Sequence, residues 1–254
     1  VFGQIYINLL MTDTGEAAIN QVNQFQRLPK SAHRKLWDRE YAQYNSIPSS
    51  DRDDPSRALM IAQSQLEYTS IDVAVDIGCG NGRNAVYLAN KGVDVIALDF
   101  STEAVTQTKR RVAQSSVSGS VEVLLSDITV GIPVADNSID LVVDSYFSCH
   151  LIGKSILNNY FSQVRRVIKS DGRFFQAEDG IRDEYYQNII DSHPSENIIV
   201  DPINDIPKRL YDIRYLDVEL PFEGSPVLAT ELLFEDTVSG DSYQRSIVSA
   251  VFDS

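Results

Sequence analysis

Short apolar runs recur along the middle of this chain, and stretches with helical spacing separate them. VAVDI (73–77), VDVIALD (93–99), VEVLLSD (121–127), IDLVVDSY (139–146) and GRFFQA (172–177) read as strands. RNAVYLANK (83–91) and TEAVTQTKRRVAQ (102–114) read as helices, with Gly92 placed to end the first. Residues 155–168 form a third, because Ile156, Tyr160, Val164 and Val167 share one face. Strands that are apolar throughout belong in a parallel sheet covered on both sides. Right-handed crossovers then bring every strand's C-terminal end to one edge of that sheet. Near the end, VLATELLFED (227–236) and YQRSIVSAVF (243–252) flank TVSGDS, which predicts a hairpin. The expected fold is α/β, a doubly wound, mostly parallel sheet that finishes antiparallel.

Residues 17–28 and 31–44 read as helices separated by Pro29. SSDRDDPS (49–56) is a polar break, and residues 56–68 predict another helix. The expected division is 1–10 as a leader upstream of Met11 or a frayed terminus, 11–70 as a helical lid segment, and 71–254 as the main domain. No apolar run is long enough to cross a bilayer, and no basic leader with a cleavage site is present. The net charge of −14, with 22 basic against 36 acidic residues, disfavours a nucleic-acid partner. KRR at 109–111 reads as a solvated helix face. The two cysteines and three histidines form no CxxC or HExxH, so no metal site is expected. Cysteine usage fits a reducing compartment, hence the cytoplasm.

The chemistry gathers where the first strand ends in Asp76-Ile-Gly78-Cys79-Gly80-Asn-Gly82. Glycines let a backbone turn sharply and approach a ligand, and the next helix presents its free N–H groups there. Asp99 ends the second strand, 23 residues after Asp76, where a carboxylate can accept both hydroxyls of a ribose. A dinucleotide fingerprint would need glycine at 83, and Arg83 stands there instead. Asp127, followed by Ile128, ends the third strand and can receive an exocyclic amine of adenine. Three acids at three successive strand ends suit a nucleoside lying across the sheet edge.

DIGCGNG resembles the first motif of the class I S-adenosylmethionine-dependent methyltransferases, whose fold is Rossmann-like. KSDG at 169–172 resembles their K-P-G-G turn, with Ser and Asp replacing Pro and the first Gly. The resemblance covers residues 35–177. It implies S-adenosylmethionine as cofactor, Asp99 as the ribose acid and Asp127 as the adenine acid. WDREY at 37–41 and GRN at 82–84 are similar to the tellurite-resistance and thiopurine branch, which methylates small molecules. There, N-terminal aromatics close over the cofactor. Trp37 and Tyr41 lie one helical turn apart and suit that role, or an aromatic stripe packed on the core. Aromatic faces beside a sulfonium gain about 0.5–2 kcal/mol of cation–π attraction.

Asp76 reads as an indirect cofactor ligand or a cap on backbone amides, and Cys79 as a small loop residue. Phe100 stacks on adenine or belongs to the core. Ser145 and Tyr146 follow the fourth strand, where cofactor and acceptor meet. His150 is the histidine nearest that edge, a general base or a structural residue. The expected reaction is in-line methyl transfer to a small molecule; nucleic-acid base methylation would call for N/D-P-P-Y where Asp144-Ser-Tyr-Phe stands. The alternatives are a non-catalytic cofactor-binding protein and an NAD-dependent oxidoreductase. QAEDGIRD (176–183) matches one translated frame of a sequencing-adapter oligonucleotide, so no site residue is placed there. The segments around 145–153 and 191–212 are expected to define the acceptor, with DSHPSENIIVDPINDIPKRL (191–210) as a cap.

Overall fold

The computed structural model describes residues 13–43, 52–190, 197–201, 204–215, 226–238 and 240–254. The expected leader therefore lies outside the described residues. Helices α1 (Asp13–Arg27) and α2 (Lys30–Gln43) come first, parted at Pro29 as expected. The helix predicted over 56–68 is broken into α3 (Arg57–Ile61), α4 (Gln63–Leu66) and a 3₁₀ turn (Tyr68–Ser70). Glu67 takes a left-handed φ of +46°, which no helix can carry through.

Strands and helices then alternate: β1 (Val73–Ile77), α5 (Arg83–Asn90), β2 (Asp94–Asp99), α6 (Thr102–Gln114), β3 (Val121–Leu125), β4 (Ile139–Ser145), α7 (Lys154–Val167) and β5 (Ile168–Asp179). The sheet has the order β3-β2-β1-β4-β5-β9-β8, where β8 is Leu228–Val238 and β9 is Asp241–Asp253. The first five strands run parallel; β9 pairs antiparallel with both β5 and β8. The fold is the expected Rossmann-like α/β sheet, and strand order reverses between β1 and β4.

Alternate residues of the central strands feed two cores. Val75 and Val142 pack against Phe161, Val164 and Val167 of α7. Ala74, Leu141 and Val143 pack on the other face with Leu59 and Leu88. Both layers exclude water, so the strand ends are the accessible edge.

Three boundaries differ from the sequence expectation. β3 stops at Leu125, because the Asp127 carboxylate accepts the amide of Thr129 (3.0 Å) and closes a turn there. β5 starts at Ile168 rather than 172: Ile139 faces Ile168 and Leu141 faces Arg173, so KSDG bulges out of a ladder that continues past it. The hairpin turn is tighter than TVSGDS, since Val238 already pairs with Asp241.

The run at 176–183 is built into the fold, with Gln176 opposite Ala250 and Asp179 opposite Ile247. After it come α8 (Glu184–Ile190) and a small antiparallel ladder, β6 (Ile198–Val200) with β7 (Pro207–Arg209). Tyr186, Ile199 and Leu210 pack these together at the same edge of the sheet. The polar break at 49–56 is anchored where it is described: Asn81 and Arg83 donate to the carbonyls of Arg52 and Asp54. No helix among the described residues is long and apolar enough to cross a membrane.

Candidate active site

β1 ends in a loop that only glycine can follow closely. Gly78, Gly80 and Gly82 take φ of +63°, +58° and +80°. A Cβ on Gly78 would lie 2.6 Å from the Phe147 ring, and one on Gly80 would lie 2.7 Å from the Tyr41 hydroxyl. The loop is held to its neighbours by side chains. The Gly80 amide donates to Asp99 Oδ2 (2.9 Å), and Thr108 Oγ1 donates to the Gly80 carbonyl (2.7 Å).

Above the loop a cavity of about 540 Å³ opens at the strand ends. Gly78, Asp99, Phe100, Asp127 and Ile128 line one part. Trp37 and Tyr41 from α2 cover it, stacked with centroids 6.4 Å apart. Tyr146, Phe147, His150 and Leu151 from the segment after β4 form the opposite wall, with Phe25 and Leu28 at the end of α1. A narrower slot of about 40 Å³ continues between Gly80, Cys79, Asn84, Ser145 and Tyr146. The structure thus brings together every expected site residue except Asp76, which lies beneath the loop, 1% exposed and lining none of these spaces.

The carboxylates differ in environment. Burial raises Asp99 to about 6, against the opposing hydrogen bonds from the Ser101 and Gly80 amides. Burial likewise raises Asp76 to about 7, with Arg83 opposing. Burial also pushes Asp127 up, but Lys30 and Thr129 more than offset it, and its pKa lies below the usual range. Lys30 Nζ sits 2.5 Å from Asp127 Oδ2, so a residue of α2 already meets the acid expected to receive an adenine amine.

His150 Nδ1 lies 3.0 Å from the Pro207 carbonyl, which only accepts, so Nδ1 carries the proton and Nε2 is left as an acceptor. Desolvation, then the charge of Lys208, lowers its pKa to about 3. The ring is neutral at pH 7, edge-on to Trp37 at 4.8 Å. Tyr146 takes a left-handed φ of +63° at the end of β4, the kind of strain that collects at functional sites. Cys79 lines the slot, its thiol buried against Thr108 and its pKa pushed up by that burial.

Sequence reasoning missed three groups here. Arg34 lies over the Phe100 ring at 4.7 Å, and Arg83 lines the slot. The third is a set of buried ions beyond Tyr146: Lys208 reaches Asp179 at 2.5 Å, and Arg245 reaches Asp183 at 2.7 Å. Asp179 and Asp183 belong to the run where no site residue was expected, yet they meet cations contributed from outside it. The signal available for Arg83 was the GRN string; Lys208 and Arg245 carry no local signal.

Residues 75–176 match the family model described as a methyltransferase domain. This stretch, less than half of the chain, is therefore similar to a methyltransferase domain. An uncharacterized methyltransferase of Synechocystis sp. is 34% identical over 100 residues, covering 39% of this chain and 43% of that protein. A demethylmenaquinone methyltransferase of Beutenbergia cavernae is 33% identical over 104 residues, covering 41% and 39%. The chain thus spans less than half the length of these relatives. Among solved structures, a 1,6-didemethyltoxoflavin-N1-methyltransferase of Burkholderia thailandensis superposes with TM-score 0.59 at 14% identity, covering 89% of this chain and 92% of that one. It was solved with 1,6-didemethyltoxoflavin and S-adenosylhomocysteine bound. An S-adenosylmethionine-dependent methyltransferase of Anabaena variabilis gives TM-score 0.61 at 15% identity, covering 87% and 93%. These likenesses establish the fold.

The residues present fit the cofactor such domains take. The glycine loop is a cradle that a Cβ would fill, Ser145 Oγ is buried beside the slot with no hydrogen-bond partner among the described residues, and Asp99 lines the cavity.

Proposed function

We propose that this chain binds S-adenosylmethionine in the cavity over the glycine loop and methylates a small-molecule acceptor in the cytoplasm. The observation carrying this reading is the meeting of the Gly78–Gly80 cradle, Asp99 and the Trp37–Tyr41 cover around one cavity at the strand-order reversal. When bound, the cofactor supplies a methyl group already activated on a sulfonium. Gly78 and Gly80 let the backbone approach its methionine portion. Asp99 accepts from the ribose hydroxyls, and Phe100 and Ile128 flank the base with Asp127. Trp37 and Tyr41 exclude water, the role that the similarity of WDREY to the tellurite-resistance and thiopurine branch implies for them. His150, neutral with Nε2 accepting, aligns an acceptor's X–H; its low basicity makes it a positioning residue rather than a strong proton sink. The Burkholderia protein's small-molecule ligand supports an acceptor of that class.

Calorimetry with S-adenosylhomocysteine and with NAD tests the cofactor, and a panel of thiols, amines, phenols and carboxylates, read by S-adenosylhomocysteine release, tests the reaction. Binding of NAD instead, or cofactor binding without turnover on any acceptor, would overturn it. Asp99→Ala is expected to weaken S-adenosylhomocysteine by about 1.5–3 kcal/mol, the scale of hydrogen bonds to a charged acceptor. The carboxylate is the form that accepts. With its pKa raised to about 6, affinity should therefore fall as pH drops below about 6, by about tenfold per unit in the limit. Asp99→Asn should flatten that profile; an equally steep profile in the variant removes Asp99 from the site.

A further inference from the structure

Beyond Tyr146, on the side away from Asp99, lies a separate cavity of about 70 Å³. Its walls carry Arg52, Arg57, Arg83, Lys208 and Arg245 against three acids, Asp54, Asp179 and Asp236. Asp183, behind Arg245, adds a fourth. The cations still outnumber the acids, in a chain whose net charge is −14. Lys208 and Arg245 are held by Asp179 and Asp183, and Arg52 is paired with Asp236. Arg83 is different. It is 8% exposed, it has no carboxylate within ion-pair distance among the described residues, and its guanidinium donates to the Asp54 carbonyl at 3.1 Å. Tyr146 points into the same cluster, and its hydroxyl makes no hydrogen bond among the described residues. The charge of Arg83 acts on the buried Asp76, but no carboxylate among the described residues meets the guanidinium itself, and a buried cation so placed is costly unless an anion joins it. The flat guanidinium fork and a phenolic O–H together offer the donor set that a carboxylate or phosphate oxygen accepts.

The position says whose anion it is. Tyr146 borders this cavity, the cofactor slot and the main cavity alike. Gly78, Asp99 and Asp127 line the main cavity and not this one, while Arg83 lines both this cavity and the cofactor slot. A molecule anchored here would present its body past Tyr146 toward the cofactor. We propose that the methyl acceptor is an anion, and that its carboxylate- or phosphate-sized group seats in this cavity on Arg83 and the Tyr146 hydroxyl. This rests on the methyltransferase reading above and narrows its acceptor class.

Calorimetry on the protein saturated with S-adenosylhomocysteine tests it, using benzoate, its neutral isostere benzamide, and inorganic phosphate. Benzoate or phosphate should bind, with benzoate at least about tenfold tighter than benzamide, a difference of about 1.4 kcal/mol. Arg83→Gln should erase the anion's binding, and Arg83→Lys, which keeps the charge but loses the fork, should retain part of it. Circular dichroism checks that both variants fold, and the benzoate-to-benzamide ratio in the unaltered protein needs neither. No binding of either anion, or benzoate no tighter than benzamide, overturns the proposal. So does a tenfold loss of S-adenosylhomocysteine affinity in Arg83→Gln with 5′-methylthioadenosine unchanged, because the arginine would then serve the cofactor's own carboxylate. If the unaltered protein does not bind S-adenosylhomocysteine at all, the methyltransferase reading itself has failed, which is a distinct result.

Discussion

Replacing Gly80 by valine is expected to weaken S-adenosylhomocysteine binding roughly a thousandfold or more, about 4 kcal/mol, while the sheet stays folded. Two effects add. Gly80 sits at φ +58°, a region where a β-branched residue is a genuine outlier, and holding it there costs on the order of 1–3 kcal/mol. The first atom of its side chain would also fall 2.7 Å from the Tyr41 hydroxyl and 3.3 Å from its ring. Relief must come by moving Tyr41, and with it the cover, or by moving the loop away from Asp99, whose carboxylate holds the Gly80 amide. Either motion removes a wall of the cofactor site. Stability should suffer less, because the loop lies past the end of β1 and the packed residues beneath it, Val75 and Ile77, are untouched. Gly80→Ala should fall between, with the conformational cost but a smaller clash. Calorimetry measures the affinities and thermal unfolding reports the fold. Binding of S-adenosylhomocysteine by the valine variant within fivefold of the unaltered protein would mean that the loop is not the cradle.

The fold was legible because a buried parallel strand has no solvated face to blur its pattern. VAVDI was bounded to the residue, Val73–Ile77. Asp99 closes β2 where the sequence reading placed it. Boundaries failed where side chains or backbone override the run, as Asp127 does by turning the chain at Thr129 and Glu67 does by leaving the helical region. What stayed hidden depends on distant partners. Lys208 finds Asp179 across 29 positions, and Arg245 finds Asp183 across 62, with no periodicity to announce either. Arg83 was visible as a residue that spoils a dinucleotide fingerprint and as part of the GRN string; that it faces a cavity follows from the position of Asp54 and Tyr146, which sequence spacing does not give.

Removing residues 1–45 is expected to cut turnover at least about a hundredfold and to weaken cofactor binding together with it, the loss that follows when water reaches a site that needs exclusion and orientation. The proposal is that α2 is a lid, bound loosely enough to open. Its attachments are ring contacts, Trp37 on His150 and Arg34 over Phe100, and a set of hydrogen bonds that includes Asn204 donating to Glu40. Asp38 Oδ1 accepts from Ser101 Oγ (2.7 Å) and the Glu103 amide (3.2 Å) at the start of α6, and Gln107 donates to the Tyr41 carbonyl (2.8 Å). Lys30 adds its pair with Asp127, but its side chain is 60% exposed, and exposed pairs contribute about 0–1 kcal/mol. Among the described residues of α2 only Glu40 is fully buried. A helix so held can part from the sheet edge without unfolding the core, and a ligand filling the cavity under Trp37 and Tyr41 would hold it down. Hydrogen exchange follows this directly: amides at 31–43 should exchange at least about tenfold more slowly with S-adenosylhomocysteine bound, while those of β1 and β4 change little. The truncated protein should keep the far-ultraviolet circular dichroism of the sheet. Equal exchange at 31–43 with and without ligand would make α2 a fixed wall, and Trp37 a packing residue that happens to face the site.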